Sequence, residues 1–252
     1  MSWIGGLHHT KQDKSLKFSE VLPGMDAYLG ADKATKRPLP DVGYSEDLAS
    51  KYKETAVFGE AAYKITEPWT LILGGRSFNH TDTAKTTFVD YAGGFVDSDY
   101  TASGGTDGQR FYKVNTAYQL NNNLLGYATF SQGFRRGGTN GFKDLGAKIV
   151  APDAREDQPD STNNCELGFK GYWLDRNLYL ETSLYRIDWK NPQTYRSQTV
   201  NDFPVNGSAN GPDARTQGLE CSTRYRITPQ WQMTYSAATT GGEWVATKTH
   251  CL

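Results

Sequence analysis

The sequence predicts an all-β fold: part of an antiparallel transmembrane β-barrel, roughly ten strands that leave the barrel open or incomplete. Three observations predict it: an aromatic and glycine-rich composition, strands joined by short turns at one end only, and residues alternating between apolar and polar. Fifteen Tyr, eleven Phe and six Trp accompany twenty-six Gly, a mixture that favours strands and turns over a helical core. The formal charge of -1 offers nucleic acid no attraction, and no such partner is expected. No run approaches the eighteen or so apolar residues of a membrane helix, and "MSWIGGLHHTKQDKS" lacks the apolar centre of a signal peptide. Barrel strands escape both tests, because each needs only about ten residues with one apolar face.

Four hairpins follow in order. The first, "ETAVFGEAAYKITEPWTLILGGRSFNHT", turns at Thr66, Glu67 and Pro68, and the second, "RFYKVNTAYQLNNNLLGYATFSQ", turns at Asn121 to Asn123. The third, "NCELGFKGYWLDRNLYLETSLYRIDW", bends at Asp175, Arg176 and Asn177; the fourth, "RTQGLECSTRYRITPQWQMTYSAATT", bends at Thr228, Pro229 and Gln230. Each is a turn by its chemistry. The other strand ends open into long polar loops, roughly residues 82 to 109, 133 to 162 and 190 to 214, far beyond the usual four to six residues. A soluble sandwich mixes loop lengths at both ends, whereas an outer-membrane barrel has short periplasmic turns and long extracellular loops.

Alternation supports the same architecture. Leu219, Cys221, Thr223, Tyr225 and Ile227 share one face of a strand, with Glu220, Ser222, Arg224 and Arg226 on the other. Val57, Gly59, Ala61, Tyr63 and Ile65 alternate with Phe58, Glu60, Ala62 and Lys64, and Leu167, Phe169, Gly171 and Trp173 with Glu166, Gly168, Lys170 and Tyr172. In the strand over 178–189, Ile187 and Trp189 break the parity of Leu178, Leu180 and Leu184, which a bulge would explain. Trp69, Trp173, Tyr172, Tyr179, Trp231, Tyr225 and Tyr63 lie near the short turns, and Tyr185, Trp189, Tyr127 and Phe130 nearer the long loops. Two such belts are what the two interfaces of a bilayer select.

One stretch is specific enough to suggest a family. "YATFSQGFRRGGTNGF" resembles the strand-to-loop segment of TonB-dependent outer-membrane receptors, in which a Tyr-Ala-x-Tyr/Phe-Ser-x-Gly-Phe-Arg run climbs out of the membrane. "YKETAVFGEAAYKITEPWTLILGGRSF" upstream, and "STNNCELGFKGYWLDRNLYLETSLYRIDWKNPQ" and "NGPDARTQGLECSTRYRITPQWQMTYS" downstream, resemble the same barrel in the same order, with the best match over residues 48–240. The resemblance implies a multi-pass barrel in the bacterial outer membrane that takes up a large scarce solute, above all a ferric siderophore. It also implies a plug domain and the TonB, ExbB and ExbD complex as partners, outer-membrane lipid as surroundings, and neither cofactor nor broken bond. Two rival readings stand beside it: a passive porin-like channel, and a soluble β-rich carbohydrate-binding module.

The sequence departs from the family pattern in three ways. Nothing in it resembles the plug or TonB box; a plugged lumen goes with about twenty-two strands; and "GGEWVATKTHCL" lacks a terminal aromatic strand. Residues 1–252 are therefore expected to be a partial barrel without the plug domain, with 241–252 an aberrant tail.

Arg135, Arg136 and Asn140 are the candidate ligand-binding residues, since guanidinium groups at a strand exit can hold an anionic solute bidentately; the alternative is solvated loop arginines. Gly133, Gly137 and Gly138 are expected to let the backbone bend out of the sheet. No phosphate loop is present, because no Gly-Lys-Ser/Thr follows. Asp153, Glu156, Asp157 and Asp160 lack the regular spacing of a calcium loop and are expected to be a solvated run. Adjacent His8 and His9 would face opposite sides of a strand, His80 and His250 are isolated, and Cys165, Cys221 and Cys251 have no ligand spacing, so no metal site is assigned. Ser131 has no catalytic partner in any nucleophile motif, no catalytic residue is named, and no enzyme is expected.

Overall fold

The computed structural model describes residues 1–29, 40–90, 96–139, 156–200 and 203–245. The alternating segments form β1 (Ser2–Val21), β2 (Val42–Lys64), β3 (Trp69–Asp90), β4 (Val96–Asn121), β5 (Leu124–Arg135), β8 (Asp160–Trp173), β9 (Leu178–Lys190), β12 (Ala214–Arg226) and β13 (Gln232–Trp244). They lie side by side in that order as one nine-stranded sheet, every neighbour antiparallel. The connections after β5 and β9 carry small two-stranded sheets, β6 (Gly138–Thr139) with β7 (Glu156–Asp157), and β10 (Gln193–Val200) with β11 (Phe203–Asn210). The connection after β1 carries a short helix, α1 (Met25–Leu29).

The two ends of the sheet differ as expected. Short turns join β2 to β3, β4 to β5, β8 to β9 and β12 to β13 at one end. Neighbouring turns are stitched together there: Gln119 N donates to Pro68 O at 2.8 Å, Tyr172 N to Asn123 O at 2.9 Å and Arg226 N to Asn177 O at 2.8 Å. Leu174, Asp175 and Arg176 take φ values of 51°, 52° and 65°, the left-handed conformation that reverses the chain tightly between β8 and β9. All longer connections leave the opposite end.

Register fixes which side chains share a face. Ala128 pairs with Leu167, Leu167 with Leu184, Leu184 with Leu219 and Leu219 with Thr239, a continuous row across five strands. Large apolar side chains on this side stand exposed, among them Trp3, Val57, Leu73, Val114, Leu167 (62 % exposed), Leu184 (56 %) and Tyr235. The next row on the other side is Tyr127, Gly168, Ser183 and Glu220. On the apolar side, polarity begins at Gln132, Asn163 and Arg186, about ten residues above Leu174 on β8. Tilted strands of about ten residues cover a hydrocarbon band of about 25 Å.

Three expectations need correction. Residues 82–90 and 96–109 are strand rather than loop: β3 and β4 stay paired from Trp69↔Tyr118 to Asp90↔Val96, with one register shift between Phe78 and His80. β9 has no bulge, since it pairs with β8 and β12 without a register shift; Ile187 and Trp189 instead face the polar side, beyond the hydrocarbon band. The second aromatic belt also fails. Tyr127, Tyr185 and Trp189 lie on the polar side with Glu166 and Ser183, and only Phe130 of that group points outward. Tyr172 and Tyr179 of the belt by the turns likewise face inward, whereas Tyr63, Trp69, Trp173 and Tyr225 face outward.

Candidate functional site

The inward face divides into a polar wall at membrane depth and an aromatic, arginine-bearing mouth above it. Along the wall Tyr127 Oη donates to Glu166 Oε1 at 2.6 Å, Tyr179 Oη to Glu181 Oε2 at 2.8 Å, and Lys113 Nζ lies 3.0 Å from Glu60 Oε2. Tyr127, Glu166, Glu181, Ser183, Glu220 and Ser222 line a trough of about 460 Å³. Gly168 is where the Tyr127 ring fits, since a Cβ there would meet it at 2.6 Å.

Higher up, Phe78 is 2 % exposed. Its ring centroid lies 4.6 Å from that of Phe134 and 5.8 Å from that of Phe111, with His80 at 6.0 Å. Pairing of β5 to β4 ends at Lys113↔Ser131, and Phe134 reaches the other rings where the two strands part. Beside this cluster Glu54 accepts from Tyr52 Oη and Arg76 Nη2, with His8 Nε2 at 3.9 Å. His9 Nδ1 instead meets Thr55 Oγ1 at 3.0 Å, so the two histidines do face opposite sides.

The predicted residues fall around the rim. Arg135 ends β5 and donates to Asp160 Oδ2 from Nε at 3.0 Å and Nη2 at 2.5 Å, and from Nη2 to Gln193 O at 3.0 Å. Its guanidinium sits 5.3 Å from the Trp189 ring centroid, and that of Arg136 lies 4.2 Å over Tyr52, both within cation–π range. Asn140, with Asp153 and His250, lies outside the described residues.

The three glycines permit close approach rather than an unusual φ. Gly133 remains inside β5, where a Cβ would stand 2.8 Å from Thr162 Oγ1; at Gly137 it would run into Asp157 O, and at Gly138 it would stand 2.9 Å from Asp157 Oδ1. Two members of the acidic run are not solvated: Asp157 is 6 % and Asp160 4 % exposed. Burial raises the Asp157 carboxyl above its ordinary range, against backbone hydrogen bonds that lower it. Asp160 keeps its charge company by pairing with Arg135, which the spacing of the run did not reveal. Cys165 and Cys221 are free thiols, and among the described residues no group of His, Cys, Asp and Glu could hold a metal ion.

The geometry has known counterparts. The family model described as TonB dependent receptor-like, beta-barrel, matches residues 4–249. The chain belongs to that family. TonB-dependent receptor barrels are outer-membrane receptors and transporters, which places the apolar side of this sheet in lipid and its polar side toward the lumen. The ferripyoverdine receptor of Pseudomonas aeruginosa is 24 % identical over 199 residues, 77 % of this chain and 22 % of that receptor. The ferric-pyoverdine M114 receptor PbuA of Pseudomonas sp. is 26 % identical over 208 residues, 78 % of this chain and 23 % of that receptor. Among solved structures, the ferric yersiniabactin uptake receptor FyuA from Yersinia pestis superposes with a TM-score of 0.72 at 14 % identity, covering 96 % of this chain and 32 % of FyuA. The closed form of the ferric-catecholate import receptor Fiu from E. coli gives 0.53 at 21 % identity, covering 77 % and 29 %. The chain thus spans under a quarter of the length of its curated relatives.

Proposed function

We propose that the chain forms one wall of a TonB-dependent receptor that takes up a ferric siderophore across the outer membrane. The observation that carries this reading is the mouth: Arg135 and Arg136 stand among Tyr52, Phe78, Phe111, Phe134 and Trp189, above a polar wall, at the end where every long connection leaves. Guanidinium groups and rings suit a bulky solute that carries anionic oxygen ligands around its iron. Arg135, Arg136 and Asn140 are assigned to ligand contact. Asp160 aims Arg135, whose side chain remains 49 % exposed. The names of the relatives, receptors for ferripyoverdine, support the same class of solute.

The rest of the machine belongs to parts of the receptor beyond these strands. β1 and β13 are each paired on one side only among the described residues, and an open edge in hydrocarbon costs several kcal/mol for each unpaired backbone group. Their free edges are proposed to pair with further strands of the same barrel, around a plug domain that TonB, ExbB and ExbD pull open. The outer membrane holds no nucleotide to drive uptake, so the energy must arrive from the inner membrane; no bond of the solute is broken.

Ferripyoverdine binding to the full-length receptor in detergent, followed by intrinsic fluorescence, tests the solute class. Arg136→Ala should weaken it about tenfold or more, the value of a hydrogen bond to a charged group. Uptake of radioactive iron by cells expressing the receptor should stop when TonB is deleted; uptake that continues undiminished would make the barrel a passive channel.

A further inference from the structure

The hydrogen bonds at the roots of the two ligand-side connections run between the connections as well as within them, where Asn210 Nδ2 donates to Asn191 O at 2.7 Å and Gly211 N to Pro192 O at 2.8 Å. Gln193, the first residue of β10, donates from Nε2 to Arg136 O at 2.6 Å and to Gln158 O at 3.1 Å. Asn210, the last residue of β11, donates from Nδ2 to Gln158 O at 2.9 Å and accepts from Gln158 N at 2.6 Å. Both amide side chains thus belong to the connection between β9 and β12, and their partners Arg136 and Gln158 to the one between β5 and β8. Asp160 stands under the seam. Its Oδ2 receives Arg135 from the first root and Gln193 N, at 3.1 Å, from the second.

The floor of the seam is dry: Pro192 is fully buried, and Ala209, Asp157 and Asp160 are all under a tenth exposed, whereas Gln193 and Asn210 are half-buried and Gln158 is exposed. Opening either connection would strand the Asp160 carboxylate without part of its partners at a full desolvation cost, while each amide bond above it exchanges with water at a net cost of about 0.5–1.5 kcal/mol. Two connections that share hydrogen bonds to one buried carboxylate open together.

We infer that Asp160, Gln193, Asn210 and Gln158 form a clasp that joins the β6–β7 and β10–β11 hairpins into one moving body, with Asp160 as its positioning residue. A solute that touches either hairpin therefore displaces both. Coupling of this kind is carried by an identifiable network with two states, clasped and open. It holds whatever the solute is.

Hydrogen exchange followed by mass spectrometry on the full-length receptor in detergent, without ligand, tests it. Asn210→Ala should speed exchange about tenfold in peptides covering Gly138–Thr139 and Glu156–Gln158, although the substitution lies in the other connection. Asp160→Asn, which lies in neither, should speed both hairpins to a similar degree while β8 and β9 keep their protection. Acceleration confined to β10–β11 in Asn210→Ala, or to one hairpin in Asp160→Asn, would overturn the clasp. Should Asp160→Asn fail to fold, the Asn210→Ala arm decides alone. Because no solute is added, failure here leaves siderophore uptake untouched, and failure of uptake leaves the clasp untouched.

Discussion

Replacing Leu184 with arginine places a charge in the middle of the row formed by Ala128, Leu167, Leu184, Leu219 and Thr239. Leu184 is 56 % exposed on the outward face, with Trp173 and Leu178 toward the short turns and Arg186 toward the long connections, so it lies in the upper part of the apolar band. An arginine on the lipid face costs about 2–4 kcal/mol at mid-depth and about 0–1 kcal/mol near an interface, so about 1–2 kcal/mol is expected here. At about 1.4 kcal/mol per decade this is a shift of about 5-fold to 30-fold in the folding equilibrium. Glu220→Arg is the matched control, since Glu220 pairs with Ser183 in the adjacent row on the opposite face. There a charge meets water, and the expected change is within about 0.5 kcal/mol. The assay is reversible guanidinium unfolding of the full-length receptor from liposomes, followed by tryptophan fluorescence. Equal costs for the two variants, or a cost below about 0.5 kcal/mol for Leu184→Arg, would refute the assignment of faces.

Phe78→Ala removes a ring that is 2 % exposed from its contacts with Phe111 and Phe134 and should cost about 3–5 kcal/mol in the same unfolding assay; a loss under about 1 kcal/mol would mean the rings are not packed. Asp157 carries a pH signature. Its folded-state pKa is raised by burial, so its contribution is fully present below the ordinary carboxyl value of about 3.9 and is lost as pH rises through the raised one. Protease cleavage in the connection between β5 and β8 should therefore become faster with rising pH in that window, and Asp157→Asn should flatten the profile. Gly168→Ala should push the Tyr127 ring off Glu166 and destabilise the barrel by about 1–3 kcal/mol, the usual cost of overpacking, whereas Gly241→Ala, where a Cβ has only Gln217 O at 4.0 Å, should cost less than 1 kcal/mol.

The parts of the fold that were legible in the sequence are those that the bilayer itself imposes. Within the apolar band each strand must alternate, so the pairs Leu167/Glu166 and Leu219/Glu220 declare their faces, and the polar turns at Thr66–Pro68 and Asp175–Asn177 declare the near end. Beyond the band both sides of a strand are wet, alternation vanishes, and the paired extension of β3 and β4 over residues 82–90 and 96–109 reads as a loop. β1 is hidden for the same reason, since Lys11 to Ser15 is polar on both faces. Aromatic position along a strand is legible but facing is not, unless parity is followed residue by residue; Tyr127 and Tyr185 share the parity of glutamates and serines. The rim was legible only in part. Arg135 stands out beside its glycines, but Asp160 and Gln193 lie 25 and 58 residues away, and contacts over such separations leave no local pattern. Asp157 and Asp160 looked like a solvated run because charge density, without the partner that buries it, carries no sign of burial.

All of this rests on which side of the sheet meets lipid. Single nitroxide labels placed in turn at residues 164 to 170 of the full-length receptor in liposomes, scored for collision with oxygen against a water-soluble nickel chelate, read that directly. The account predicts oxygen-rich contact at 165, 167 and 169 and nickel contact at 164, 166, 168 and 170. Uniform exposure to the chelate, or protection of the odd positions from both reagents, would contradict it.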